Sequence, residues 1–142
     1  MSAYAYDETI GAFARGELDW EQDLFKVMLV TDEYQPEQAQ DATTSDLRAF
    51  EVPETGTYVR GGAVLPGRFV TRGETGSTRL DAGNVDFENM TAEFRYAIVY
   101  HAKTGRLVSY TDFRRSQVVD NARVLLEYGR DGGVVELIAV AA

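Results

Sequence analysis

His101 is the only histidine in a chain of 142 residues that has no cysteine. Thiolate nucleophiles, thiolate metal sites and disulfide frameworks are therefore excluded, and imidazole catalysis has one candidate. His101 ends a strand-like stretch, with Asp112 as its acidic company across an expected turn. A His–Asp pair can orient a general base, but a base needs something to activate, and no serine stands in a Gly-x-Ser-x-Gly elbow. The balance favours a surface or interface histidine over a catalytic one. His101→Ala is expected to leave fold and assembly nearly intact.

Carboxylates offer two further chemistries. Glu17, Asp19, Glu21 and Asp23 could supply the paired acids of glycoside hydrolysis, which needs two carboxyls at a fixed separation about a sugar cleft. Acids in a turn before a strand are ordinarily solvated, and that is the reading preferred here. Asp81, Asn84 and Asp86 offer oxygen ligands for Ca²⁺, yet they lack the sharp-turn glycine and terminal glutamate of an EF-hand loop. The glycines of residues 51–62 suit a shaped turn better than a phosphate cradle, since no Lys-Ser or Lys-Thr pair follows. No catalytic residue, metal ligand or cofactor site is assigned, and a non-enzymatic protein is expected.

The elements that would position these groups read as mainly β. Residues 9–15 suit a short helix with Ile10, Phe13 and Ala14 on one face, entered through Asp7 and Glu8 and ended by Gly16. Residues 24–30 form an apolar run broken only by Lys26, as in a strand buried on both faces. Residues 31–42 are polar and read as a surface loop, and Thr44-Ser45-Asp46 caps a helical turn over 47–50.

Phe94, Tyr96, Ile98 and Tyr100 alternate with Arg95, Ala97, Val99 and His101, placing the aromatic set on one core-facing side. Lys103-Thr104-Gly105 then turns the chain into a return strand over 107–113, a hairpin. A second hairpin is expected from 122–128 through the glycines of 129–133 into 134–140. Earlier strands are expected at 68–72, 78–80 and 84–87. The sum is one domain over 1–142: an antiparallel β-sandwich or small barrel of about seven to eight strands, with a short N-terminal helix and residues 1–8 as an extended arm.

Charge narrows the partners. The formal net charge is −9, and 13 acids against 4 bases in residues 1–60 account for all of it, because residues 61–142 carry 10 of each. Nucleic acid is disfavoured, since phosphate binding needs concentrated cations. No apolar run reaches the roughly 20 residues of a membrane helix, and the first residues lack a signal-peptide pattern, so a soluble chain is expected. Tyr4, Tyr6, Tyr34 and Tyr58 lie in polar terminal or loop segments, where amphipathic rings suit partner contact.

Gly16-Glu17-Leu18-Asp19-Trp20, Phe25-Lys26-Val27-Met28-Leu29-Val30, Tyr34, Gly56-Thr57-Tyr58-Val59-Arg60-Gly61-Gly62, Leu80-Asp81-Ala82-Gly83-Asn84-Val85 and Arg95-Tyr96-Ala97-Ile98-Val99-Tyr100 succeed one another in an order that resembles a family of small structural proteins of tailed-bacteriophage virions. The resemblance covers about residues 11–140. Phe87 stands where related sequences commonly show a second tryptophan. The resemblance implies a virion component without enzymatic activity, made in the host cytoplasm. A capsid decoration or cement protein is the leading expectation, and a tail or tail-fibre accessory the alternative. Its partners would be the major capsid protein or other virion proteins, with homo-oligomers forming on the particle. Tyr4, Tyr6, Tyr34 and Tyr58 would supply the contacts, with Arg114 and Arg115 as rim charges. From another class, a carbohydrate-binding module would need Trp20 exposed for stacking on sugar rings.

Overall fold

The computed structural model describes residues 2–72, 76–128 and 134–138. In chain order the elements are β1 (Ser2–Ala5), α1 (Asp7–Ala14), β2 (Phe25–Val30), two 3-10 turns (Thr44–Asp46 and Arg48–Phe50), β3 (Ala63–Val64), β4 (Phe69–Arg72), β5 (Ser77–Asp81), β6 (Val85–His101), β7 (Leu107–Leu126) and β8 (Val135–Ile138). Every pairing is antiparallel. One sheet has the order β1-β7-β6-β2-β3 and the other the order β4-β5-β8. The fold is thus mainly β and sandwich-like, with two separate sheets where a barrel would have closed.

β2 shows why the apolar run at 25–30 is uninterrupted. Phe25, Val27 and Leu29 join Ala97, Val99 and Val108 in one core, together with Trp20 and with Ala12 and Phe13 of α1. Met28 and Val30 join Tyr96, Ile98 and Tyr100 in a second core, covered by Tyr34, Leu47 and Phe50 from the segment after β2. Both faces of the strand are dry, and each large side chain so buried contributes roughly 1.5–3 kcal/mol. Lys26 alone is only partly buried.

The β6–β7 hairpin is the spine of the molecule, and it is longer than the alternation over 94–113 implies. Its near half pairs with β2 and β1; its far half, from Val85 to Phe94 and Gln117 to Leu126, packs Phe87, Met90, Val124 and Leu126 into the first core. Between Phe94 and Tyr96 the register breaks, with Gln117 opposite one and Asp112 opposite the other. Across that bulge the alternation slips, so Phe94 enters the first core and Tyr96, Ile98 and Tyr100 the second. The expected single aromatic face is therefore divided between two cores, and Ala97 and Val99 are as buried as their neighbours.

Three further expectations change. Residues 122–126 are the end of β7 and pair with β6, while β8 pairs with β5, so the second hairpin does not form; its turn, 129–133, lies outside the described residues. Residues 2–5 are no free arm but the edge strand β1, in register with 109–112 of β7. In α1 the buried residues are Thr9 and Ala12, while Ile10 is 51% exposed and Ala14 is also exposed. Thr9 faces β7 in its place, its Oγ1 sharing one proton between the carbonyls of Leu107 and Val108 at 3.0 and 2.9 Å. Gly16, at φ +74°, ends the helix as its position suggests.

Candidate functional site

His101 is 5% exposed and forms an internal strut, contrary to the surface position expected for it. Its Nδ1 lies 2.7 Å from Thr104 Oγ1 and its Nε2 3.0 Å from Asp23 Oδ2, while the Phe25 ring meets it edge-on. A neutral ring satisfies both if Nε2–H donates to the carboxylate and Nδ1 accepts from the hydroxyl. The Asp19 amide, and then His101, hold the Asp23 carboxyl below its ordinary range. Asp112 is not its partner: it opposes Tyr96 and takes the Arg95 guanidinium at 3.0 and 3.3 Å.

The neighbouring acids do not converge on a cleft. Glu17 bridges Arg15 and Arg106, both at 3.0 Å, and the two guanidiniums pull its pKa down to about 2. Asp19 Oδ1 accepts from the amides of Glu21 and Gln22, and Glu21 from the amide of Val70. The three oxygen ligands proposed for Ca²⁺ are likewise engaged separately. Asp81 is buried against the Ala82 amide, Asn84 accepts from the Tyr128 amide, and Asp86 is forked by Arg123.

Residues 51–62 form a closely fitted polar cluster. The buried Glu51 carboxylate accepts from Tyr58 Oη and from the Gly61 amide, each at 2.7 Å, with Arg60 at 3.6 Å. Tyr58 Oη in turn accepts from the Leu29 amide at 3.0 Å, and Tyr100 Oη donates to the Gly61 carbonyl. Gly62 follows at φ +79°, and a Cβ there would lie 1.8 Å from the Val27 carbonyl oxygen. The glycines are present for close approach of backbone to β2, as a shaped turn requires.

Of the four tyrosines expected at a contact surface, three are interior. Tyr6, Tyr34 and Tyr58 are at most 2% exposed. Tyr6 Oη donates to Tyr34 Oη, which donates to Asp41 Oδ2, both at 2.7 Å; burial raises both phenol pKa values above the ordinary one. These rings serve as internal hydrogen-bonding posts because each loop they sit in must cover a sheet face. Tyr4 remains available at 43% exposure, its ring against Tyr110. Arg114 and Arg115 are exposed at the bulge of β7, where Arg114 takes φ +73° and its amide donates to Asp112. Trp20 is 3% exposed and its Nε1 donates to the Asp81 carbonyl at 2.9 Å, so it has no face to offer a sugar. The carbohydrate-binding alternative loses its stacking platform.

An open groove of about 420 Å³ was not anticipated from the sequence. It is lined by Leu24, Lys26 and Val64 along the β2–β3 edge, by Thr44 and Arg48, and by Tyr100 and the turn from Ala102 to Gly105. The chain has only two lysines, Lys26 and Lys103, and both stand here. That scarcity was the available signal. Comparison with protein-family models, with curated proteins and with solved structures gives no match. Among the described residues, no helix is long and apolar enough to cross a membrane.

Proposed function

We propose that the chain is a non-enzymatic structural protein of a tailed-bacteriophage virion, and within the virion a decoration protein of the head that binds the assembled shell. The observation that carries the reading is how the polar side chains are used. His101, Glu51, Asp81, Thr9 and the three interior tyrosines all bond to protein groups, so the described interior holds its shape instead of presenting reactive groups. What faces outward is apolar surface on strands: Tyr4 on β1, Phe69 and Val70 on the edge strand β4, and Val118 and Leu125 on β7. Such edges suit docking onto another protein. The ordered succession of sequence motifs supplies the virion context.

A protein that binds the shell and not its dissociated subunits stabilises it by RT ln(1 + [L]/Kd) per site, a small gain multiplied over many sites. Purified protein added to shells lacking it is expected to co-sediment with them and to raise their disruption temperature. Failure to bind, with no change in shell stability, overturns the proposal. Binding to isolated tails instead places the protein among the tail accessories.

A further inference from the structure

The groove beside β3 is a basic site at an open sheet edge. β3 ends the five-stranded sheet, and among the described residues no strand lies beyond it. Val64 stands opposite Lys26, and the next residue, Leu65, donates its amide to the Phe25 carbonyl. Hydrogen-bonded pairs alternate along an antiparallel ladder, so Val64 and Lys26 are a pair without such bonds, and the Val64 amide and carbonyl point away from β2. Val64 is 44% exposed, and with Leu24 it gives the groove an apolar rim.

The charged side chains at that edge are all donors. Lys26, Arg48 and Lys103 line the groove, and no Asp or Glu does. A Cβ at Gly61 would lie 3.6 Å from Lys26 Nζ, so the ammonium stands beside the residues that lead into β3. Arg48 is braced by Thr44 Oγ1 at 3.3 Å. The nearby acids are engaged: Glu51 by Tyr58, Gly61 and Arg60, and Asp23, on which Lys103 also acts, by the Asp19 amide and His101. At about 0.15 M salt charges act over roughly 8 Å, so these local groups, and not the net charge of −9, set what the groove attracts.

Val64, Lys26 and Tyr100 form one row across β3, β2 and β6. A strand added at β3 would lie about 4.8 Å beyond it and turn alternate side chains to the face of that row. Main-chain bonds then supply affinity and the facing side chains supply choice. Carboxylates, which only accept, match a face that only donates. We propose that the groove receives an extended acidic segment of a partner protein, which bonds the Val64 amide and carbonyl as an added strand and sets carboxylates against Lys26, Arg48 and Lys103. The contact needs no shell to be measured, so its failure leaves the virion reading standing.

Nuclear magnetic resonance of the whole chain at about 0.15 M salt tests it. The probe is a short capped peptide of alternating threonine and glutamate. It is expected to bind with Kd below about 1 mM, to shift the amides of Lys26, Val64 and Lys103, and to slow hydrogen exchange at Val64. Arg48→Glu with Lys103→Glu, both at exposed positions, is expected to weaken binding at least about tenfold. Val64→Pro removes the outward donor at an edge position where proline is tolerated, and a roughly fivefold loss is expected. An unchanged near-ultraviolet signal from Trp20 shows that each variant is folded. No saturable shift up to about 5 mM peptide overturns the proposal, as does equal binding of the peptide with lysine for glutamate. Binding that both variants leave unchanged overturns it too. Inorganic phosphate giving the same shifts makes the groove a small-anion site, and a Val64 amide already protected in the free chain puts a second copy at the edge; either result overturns the proposal.

Discussion

Tyr58 shows what the single side chains of this protein are for. Its hydroxyl joins the Leu29 amide of β2 to the carboxylate of Glu51, so removing one oxygen orphans the Leu29 donor in a dry interior and leaves Glu51 with the Gly61 amide and Arg60. Tyr58→Phe is expected to cost about 1–3 kcal/mol, read as a lower denaturation midpoint with unchanged slope. His101→Ala belongs with it. The sequence suggested a harmless change, but the ring fills space beside Phe25 and bonds Asp23 and Thr104, so a loss of similar size is expected. At Glu17 the same logic produces a pH effect. Arg15 and Arg106 depress its pKa in the folded chain to about 2, against about 4.3 when unfolded, so its contribution is complete above the unfolded value and lost as pH falls toward 2. Glu17→Gln is expected to flatten the stability profile between about pH 4.5 and 2, and more so in low salt, because the pair is exposed.

Elements depend on a few backbone positions that no side-chain pattern announces. Gly62 lets the segment before β3 lie against β2, and Gly62→Ala would set a methyl 1.8 Å from the Val27 oxygen at a φ alanine avoids. A loss above about 4 kcal/mol, or failure to yield folded protein, is the expected result. Periodicity located β2, β4, β5, β8 and stretches of both β6 and β7, and passed over only the short strands β1 and β3 among the described residues. What the sequence hid was long-range. β8 looks like the return of β7, because alternation reports a strand without naming its neighbour, and only the structure places it beside β5. The bulge between Phe94 and Tyr96 hid in the same way, since a slipped register still reads as alternation. The tyrosine loops were misread for a related reason: polar flanks conceal a ring that must turn inward to roof a sheet. The basic groove assembles from four separate segments and has no local signature beyond the scarcity of lysine.

Over the whole molecule, the division of charge acquires a shape. The excess acid of residues 1–60 includes the turn beyond β2, while Lys26, Arg48 and Lys103 gather at the other end of that strand. Attachment to a shell through a basic patch would weaken with salt, and a purely apolar contact would hold or strengthen, so a salt series on decorated particles separates the two. One further consequence lies in the order in which the chain can be completed. β1, at the N-terminal side, closes on residues 109–112, and β5 stays half-paired until residues 135–138 arrive. Neither sheet can therefore finish from a fragment, and such distant pairings must be reached before their contacts reward the search. Refolding is expected over roughly milliseconds to seconds, not microseconds. A chain still on the ribosome would hold one edge of β5, from Ser77 to Leu80, open until residues 135–138 emerged, so synthesis itself leaves a strand template uncovered for the time between them.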